Sequence, residues 1–340
     1  MKAEKDDKLN ILFPCLPDVE RAIGGVKQLY RHAEILDKSG FNTLVITENK
    51  DFRPKWFKSK ARTKEVNAIK ADRSVTPDNT VVVMPETYVG ADQSNLIGWD
   101  IRNYKKVIFN QNAYYTTQGQ SLETIDNFYG SKKVIHVLAI SEDTYDYLNT
   151  IMGIPDERIS RVINSIESYF LPEGRKEKII HWMPRKNPGE STEIIKTLGK
   201  LNILNGNRWR GEGLKNMSHE EVAKKLNNSS IFLSFGSPEG FGLPVAEAMA
   251  SGNWVIGYTG MGARELFKYG ASTEIEFGDW TKFGKSIASV IEKFELNERE
   301  TNLRVRRQSK AVKHLYSREE EEKSVIEAWI RIERMFKSNT

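Results

Sequence analysis

Short apolar runs alternate along the chain with longer stretches whose apolar positions recur three and four residues apart. Leu9 to Phe13 predicts a buried strand. The pair Gly24-Gly25 follows, then a helix from Val26 to Lys38 that stops at Gly40. Thr43 to Thr47, Thr80 to Met84, Val107 to Phe109 and Val134 to Ile140 predict further strands, and Ser141 has the chemistry of the next helix N-cap. The second half repeats the alternation, with strands predicted at Lys178 to Met183, Leu201 to Leu204, Ser230 to Phe235, Trp254 to Tyr258 and Glu274 to Phe277. Ser218 with Glu221, and Ser317 with Glu320, have the spacing of capping boxes. A last helix, from about Arg318 to Phe336, sets Val325, Ala328, Trp329, Ile332, Met335 and Phe336 on one stripe, which reads as packing. Continuous apolar runs bounded by amphipathic helices predict parallel sheets covered on both faces, an α/β architecture.

At 340 residues the chain is long for one core, and two doubly wound halves of ~150 residues each account for it. The linker candidate is Leu171-Pro172-Glu173-Gly174, just after a strand-like Arg161 to Asn164. This sets the expected divisions at 1–172, 173–316 and a terminal helix 317–340. Apolar residues at 39% and charged residues at 29% exclude wholesale disorder. No window approaches the ~18 apolar residues of a membrane span, and the charged start of the sequence lacks a signal-like apolar region. Cys15 is the single cysteine, so a disulfide framework is excluded; it reads as a structural thiol, and a cytoplasmic setting is the default expectation.

Basic residues number 51 against 46 acidic ones, a net charge of +5, and one stretch concentrates the excess. Between Asp51 and Arg73 stand Arg53, Lys55, Lys58, Lys60, Arg62, Lys64, Lys70 and Arg73, with Trp56 and Phe57 among them. A solvated Lys-rich loop is the more economical reading. The alternative is contact with a nucleic-acid backbone or anionic head groups, which would make the protein peripheral at a membrane.

The densest chemistry lies in the segment from Ser237 to Gly252, SPEGFGLPVAEAMASG, which follows a predicted strand and opens a helix. Gly240 and Gly242 let backbone approach a ligand closely. Pro244 suits a first helical turn, and the turn's N–H groups with the helix dipole favour an anion. Glu239 precedes the helix and Glu247 lies one turn inside it, eight positions on. A phosphate between two carboxylates, each accepting from hydroxyls on either side, matches a nucleoside diphosphate sugar.

This segment resembles the E-x7-E signature of the family 4 (group 1) retaining glycosyltransferases of the GT-B fold, in which two Rossmann-like domains face a central cleft. The resemblance continues, more weakly, over most of the chain. Gly24-Gly25 is similar to the family's N-terminal glycine loop, which faces the donor diphosphate. Ala139 to Glu142 is similar to the turn closing the N-terminal domain, Val162 to Glu167 to the Pro-Asn-Gly-Val-Asp turn with Ser165 in place of Gly, and Thr259 to Glu265 to a loop after a later strand. The resemblance implies an acceptor-side N-terminal domain and a donor-binding C-terminal one. It implies that Glu247 binds ribose hydroxyls, that Glu239 contacts the transferred sugar near the reacting carbon, and that backbone at Gly240, Phe241, Gly242 and Leu243 faces the distal phosphate and sugar. Arg185 and Lys186 match the two cations that neutralise the departing diphosphate in place of a metal. Pro184 stands where the family has Gly, and Lys186 follows Arg185 directly instead of a few residues on. Near the acceptor, where many members have a His, the chain reads Asn110-Gln111-Asn112-Ala113-Tyr114-Tyr115. Amides orient hydroxyls but are not bases at neutral pH, so Asn112 is an acceptor-side candidate and the leaving phosphate would take the acceptor proton. Tyr114-Tyr115 reads as packing.

Other signals do not develop. Gly278 to Ser286 resembles a phosphate loop with one residue too many, and Asp279 reads better as an N-cap. His32, His136, His181, His219 and His314 make no metal-ligand spacing, and no Asp-x-Asp motif appears. The expected function is a metal-independent, retaining hexosyltransferase moving sugar from a nucleotide-diphosphate sugar, UDP-hexose by family preference, to a glycan or lipid-linked saccharide. The alternatives are transfer to a hydroxylated base in duplex DNA, and a catalytically inactive nucleotide-sugar sensor or basic binding module.

Overall fold

The computed structural model describes residues 8–21, 23–200 and 208–338. The chain forms two compact units, one of residues 1–164 with 321–340, the other of residues 165–320. They divide eight residues earlier than the expected 172/173 boundary. Phe170 is fully buried, and the Leu171 N–H donates to Oδ1 of Asn227 (2.9 Å), so the supposed linker is part of the second unit's wall.

The first unit is built on a seven-stranded, all-parallel sheet of β1 (Asn10–Pro14), β2 (Asn42–Thr47), β3 (Thr63–Glu65), β4 (Thr80–Pro85), β5 (Lys105–Asn110), β6 (Val134–Ala139) and β7 (Ile159–Arg161), in the order β3-β2-β1-β4-β5-β6-β7. Four central strands are apolar on both faces, as a doubly covered parallel sheet requires. Helix α1 (Gly24–Lys38) buries Leu29, Tyr30, Ala33 and Leu36. It ends at Gly40 in a left-handed conformation (φ 88°), with the Gly40 N–H on the Asp37 carbonyl and the Phe41 N–H on that of Leu36, a Schellman stop. Gly24 and Gly25 are the first two residues of this helix, not a loop before it. The last strand ends at Arg161, where the sequence suggested one beginning.

The basic stretch 51–73 is not a simple loop. It holds β3, which pairs with β2, and helix α2 (Val66–Ala71). Both aromatics turn inward: Phe57 meets the buried Tyr30 edge-on at 5.4 Å, and Trp56 lies against Phe57 at 4.5 Å. Arg62 pairs with Asp37 and Lys64 with Asp72. Helices α3 (Leu122–Gly130) and α4 (Glu142–Asp146) follow, the latter capped by Ser141 as predicted.

The second unit has a five-stranded parallel sheet: β8 (Glu177–Trp182), β9 (Arg210–Gly213), β10 (Ser229–Ser234), β11 (Trp254–Gly257) and β12 (Ser272–Glu274), ordered β12-β11-β10-β8-β9. The predicted Leu201 to Leu204 strand lies outside the described residues. The predicted last strand sits earlier, at β12, leaving Phe277 exposed beyond it against Tyr258. The helices are α5 (Pro188–Lys200), α6 (His219–Asn228), α7 (Leu243–Ala250), α8 (Trp280–Leu296), α9 (Glu298–Leu315) and α10 (Arg318–Ser338). Ser218 and Glu221 form a full capping box on α6, and Asp279 caps α8. Most of α10 belongs to the first unit, where Trp329 is fully buried 6.2 Å from Phe13. No helix among the described residues is long and apolar enough to cross a membrane.

Candidate active site

In the second unit the chain leaves β8 for β9 on one side, then returns to place β10 on the other. Such a reversal leaves a crevice at the carboxyl ends of the two strands, where open α/β sheets bind ligands. The loops after β8 and β10 carry Arg185, Lys186 and Glu239, and β10 leads on to α7.

The turn between β10 and α7 is fixed by its own backbone. The Glu239 N–H donates to the Gly260 carbonyl (2.7 Å), and the Gly262 N–H returns to the Glu239 carbonyl (3.1 Å). A Cβ on Gly262 would collide with the backbone of Glu239 and Gly240, so the loop after β11 can close on the turn only through glycine. Gly242, the residue before α7, is left-handed (φ 83°), and Pro244 at the second helical position leaves no N–H to satisfy. Gly240, Phe241 and Gly242 are buried, Leu243 half so; Phe241 lies 5.0 Å from the Tyr316 ring, whose hydroxyl donates to Glu265 (2.6 Å).

Of the two cations, Lys186 meets a carboxylate, and Arg185 has no carboxylate partner among the described residues. Lys186 forms an ion pair with Glu239, and both side chains are less than a third exposed. Arg185 is exposed, with its guanidinium 3.9 Å from the Met183 sulfur. Asn187 braces this corner: Nδ2 donates to the carbonyls of Phe235 (2.5 Å) and Ser237 (3.3 Å) across the crevice. Its own carbonyl accepts from Ser191 in the first turn of α5. The pairing of the two loops could not be read from sequence.

Glu247 is buried, at 6% exposure, which excludes a solvated helix surface. Its Oε1 lies 2.7 Å from Nε2 of His219, and Nδ1 of that ring lies 2.7 Å from the Tyr169 hydroxyl. Neither residue stood out in the sequence. Metal-ligand spacing does not mark a histidine whose partner is one carboxylate on another helix. Among the described residues no group of three or more His, Cys, Asp or Glu could hold a metal ion.

The remaining candidates lie in the first unit. The Gly25 carbonyl accepts from the Gln111 amide (3.2 Å), and the Gln111 N–H donates to the buried carboxyl of Glu86 (3.0 Å). Burial pushes the Glu86 carboxyl up to about 7, against the N–H groups of Gln111, Glu86 and Asn112 that lower it. Asn112 is buried, and its side-chain oxygen caps the short turn Ala113–Tyr115 by accepting from the Tyr114 N–H (3.1 Å). Its amide carbonyl therefore has a structural duty at the position read as acceptor-side. Tyr114 packs on Tyr147 and donates to Asp143, but Tyr115 is exposed, contrary to the packing expectation. Cys15 is buried, and burial pushes its thiol up to about 11, in keeping with a structural role.

The family described as glycosyl transferases group 1 matches residues 206–311, which include the turn, α7 and most of the second sheet. An alpha-1,6-glucosyltransferase of Actinobacillus pleuropneumoniae serotype 7 (strain AP76) is 26% identical over 218 residues, 62% of this chain and 64% of that protein. Among solved structures, sucrose-phosphate synthase from Thermosynechococcus elongatus superposes with a TM-score of 0.67 at 16% identity, covering 97% of this chain and all of that one. Anabaena HepE in complex with UDP-glucose gives 0.66 at 13% identity, covering 94% and 99%. Residues 206–311 are thus similar to the group 1 glycosyltransferases, and the chain has the GT-B fold of two Rossmann-like units.

Proposed function

We propose that the chain is a retaining, metal-independent glycosyltransferase that moves a hexose from a UDP-sugar to a hydroxyl of a glycan or lipid-linked saccharide. The observation that carries this reading is the meeting of Lys186 with Glu239 at the mouth of the second unit's sheet, beside the glycine turn that opens α7. In this reading the turn and the α7 dipole receive the distal phosphate, and Lys186 and Arg185 neutralise the diphosphate as it leaves. Glu239 holds hydroxyls of the transferred sugar, and Glu247 those of the ribose. No side chain beside Glu239 need act as base, because the departing phosphate oxygen can take the acceptor proton. Support for UDP and for a hexose comes from the relatives, one solved with UDP-glucose and one a glucosyltransferase.

The test is transfer from UDP-glucose to a panel of saccharide and lipid-linked acceptors, in EDTA and in Mg²⁺, with the product anomer read by proton NMR. An α-linked product, made equally well in EDTA, is expected. A β-linked product or a strict Mg²⁺ requirement would overturn the mechanism, and turnover of GDP- or ADP-sugars alone would overturn the donor assignment.

A further inference from the structure

Glu247 is a buried acid held at one oxygen. His219 is the first residue of α6, and its ring stands edge-on to those of Phe170 (5.0 Å) and Tyr169 (5.7 Å). The polarity of the chain Tyr169–His219–Glu247 follows from its end. A carboxylate only accepts, so Nε2 carries a proton and donates to Oε1 of Glu247, and in the tautomer with that one proton the other ring nitrogen is bare. Nδ1 is then an acceptor, and the Tyr169 hydroxyl donates to it. Oε2 of Glu247 has no hydrogen-bond partner among the described residues. One oxygen is thus used to fix the plane of the carboxylate, and the second is left for a ligand. Tyr169 and His219 are 50 residues apart, and His219 and Glu247 28 apart, so the array is tertiary and no local turn demands it.

We propose that Tyr169 and His219 are positioning residues that orient the Glu247 carboxylate, and thereby set the preference of the site for ribonucleotides over deoxyribonucleotides. This rests on the reading of Glu247 as the ribose-binding acid. An unsupported glutamate could turn between rotamers and meet a vicinal diol in several ways. A carboxylate locked by an imidazole presents one oxygen in one direction, and loses most of its partner when the diol is missing.

The experiment measures the binding of UDP and of 2′,3′-dideoxy-UDP by calorimetry to the wild type, Glu247→Gln, His219→Asn, His219→Gln and Tyr169→Phe. Hydrogen bonds to a charged acceptor predict a wild-type preference for UDP of about tenfold or more. His219→Asn, too short to reach, should cut that preference to about threefold or less, and His219→Gln, whose amide can occupy the Nε2 position, should restore part of it. For UDP-glucose, His219→Asn should raise KM and leave kcat nearly unchanged, a split that general loosening of the fold would not give. Should His219→Asn fail to fold, Tyr169→Phe keeps ring and packing and should lose part of the preference. A full preference in the His219 and Tyr169 variants, with loss in Glu247→Gln, overturns the positioning role alone. A wild type that binds both ligands equally, or a Glu247→Gln that keeps the preference, overturns the ribose assignment and the inference with it.

Discussion

Gly242→Ala probes the turn on which the proposed donor site depends. At φ 83° the residue is left-handed, and an alanine there costs about 1–2 kcal/mol from its backbone alone. The added methyl would also stand 2.6 Å from the Cβ of Ala263, in the loop after β11. Restoring ordinary contact needs a shift of about 0.8 Å between two buried segments, and overpacking of that size typically costs about 1–3 kcal/mol. The whole effect should be roughly 2–5 kcal/mol, a fall in melting temperature of several degrees or more. Removing the Ala263 methyl separates the two parts. In a double-mutant cycle with Ala263→Gly the steric share, about 1–3 kcal/mol, should appear as coupling, while the backbone share persists. Turnover of UDP-glucose should fall about 100-fold in the single variant, because displacements near 1 Å at a site that positions its substrate cost about that much. Thermal or urea unfolding gives the stabilities, and kcat/KM gives the site. Gly130→Ala, at the exposed end of α3 where an added methyl meets nothing, is the control and should be neutral or slightly stabilising. A Gly242→Ala protein as stable as the wild type, or a cycle with no coupling, would show that the turn is not held as described.

Lys186→Met should lower kcat by about 100-fold or more, since a fixed cation beside a leaving diphosphate is worth that much, yet destabilise by only about 1 kcal/mol because the pair is partly exposed; steady-state rates beside a thermal melt give both, and unchanged kcat refutes the role. Glu86 gives a pH signature in the first unit. Its folded-state carboxyl is raised to about 7 from an ordinary 4.5, so between those values the folded protein binds the extra proton. That contribution is fully present below pH 4.5 and is lost as pH rises through 7. Glu86→Gln, which stays neutral, should therefore gain on the wild type by up to about 3 kcal/mol across this window, read from urea titrations at pH 4.5 and 8. A difference independent of pH would mean the carboxyl is charged throughout.

What the sequence disclosed and what it hid divide along a physical line. The central strands were legible because each is apolar on both faces, and helix ends because Ser141, Ser218, Asp279 and Gly40 act on backbone groups within a turn of themselves. Strands β3 and β9, Thr-Lys-Glu and Arg-Gly-Glu-Gly, were not, because edge strands pair on one side only and need little apolar surface. The basic stretch misled for a related reason: its charges are local, but Trp56 and Phe57 find their place only against α1.

The same division runs through the site. Glu239, Gly242 and Glu247 lie in one continuous segment and could be found as a motif. The partners of its two acids come from elsewhere: Lys186 is 53 residues from Glu239, and His219 is 28 from Glu247. Each is delivered by the strand order, which sets the end of β8 beside that of β10 and α6 beside α7. Arg185 and Lys186 are adjacent in sequence and chemically alike, yet one faces solvent and the other faces the acid; both lie in the turn after β8, where the Lys186 N–H closes on the Met183 carbonyl (3.0 Å). A motif can thus nominate the acids, but only the sheet determines which cation, and which imidazole, holds them.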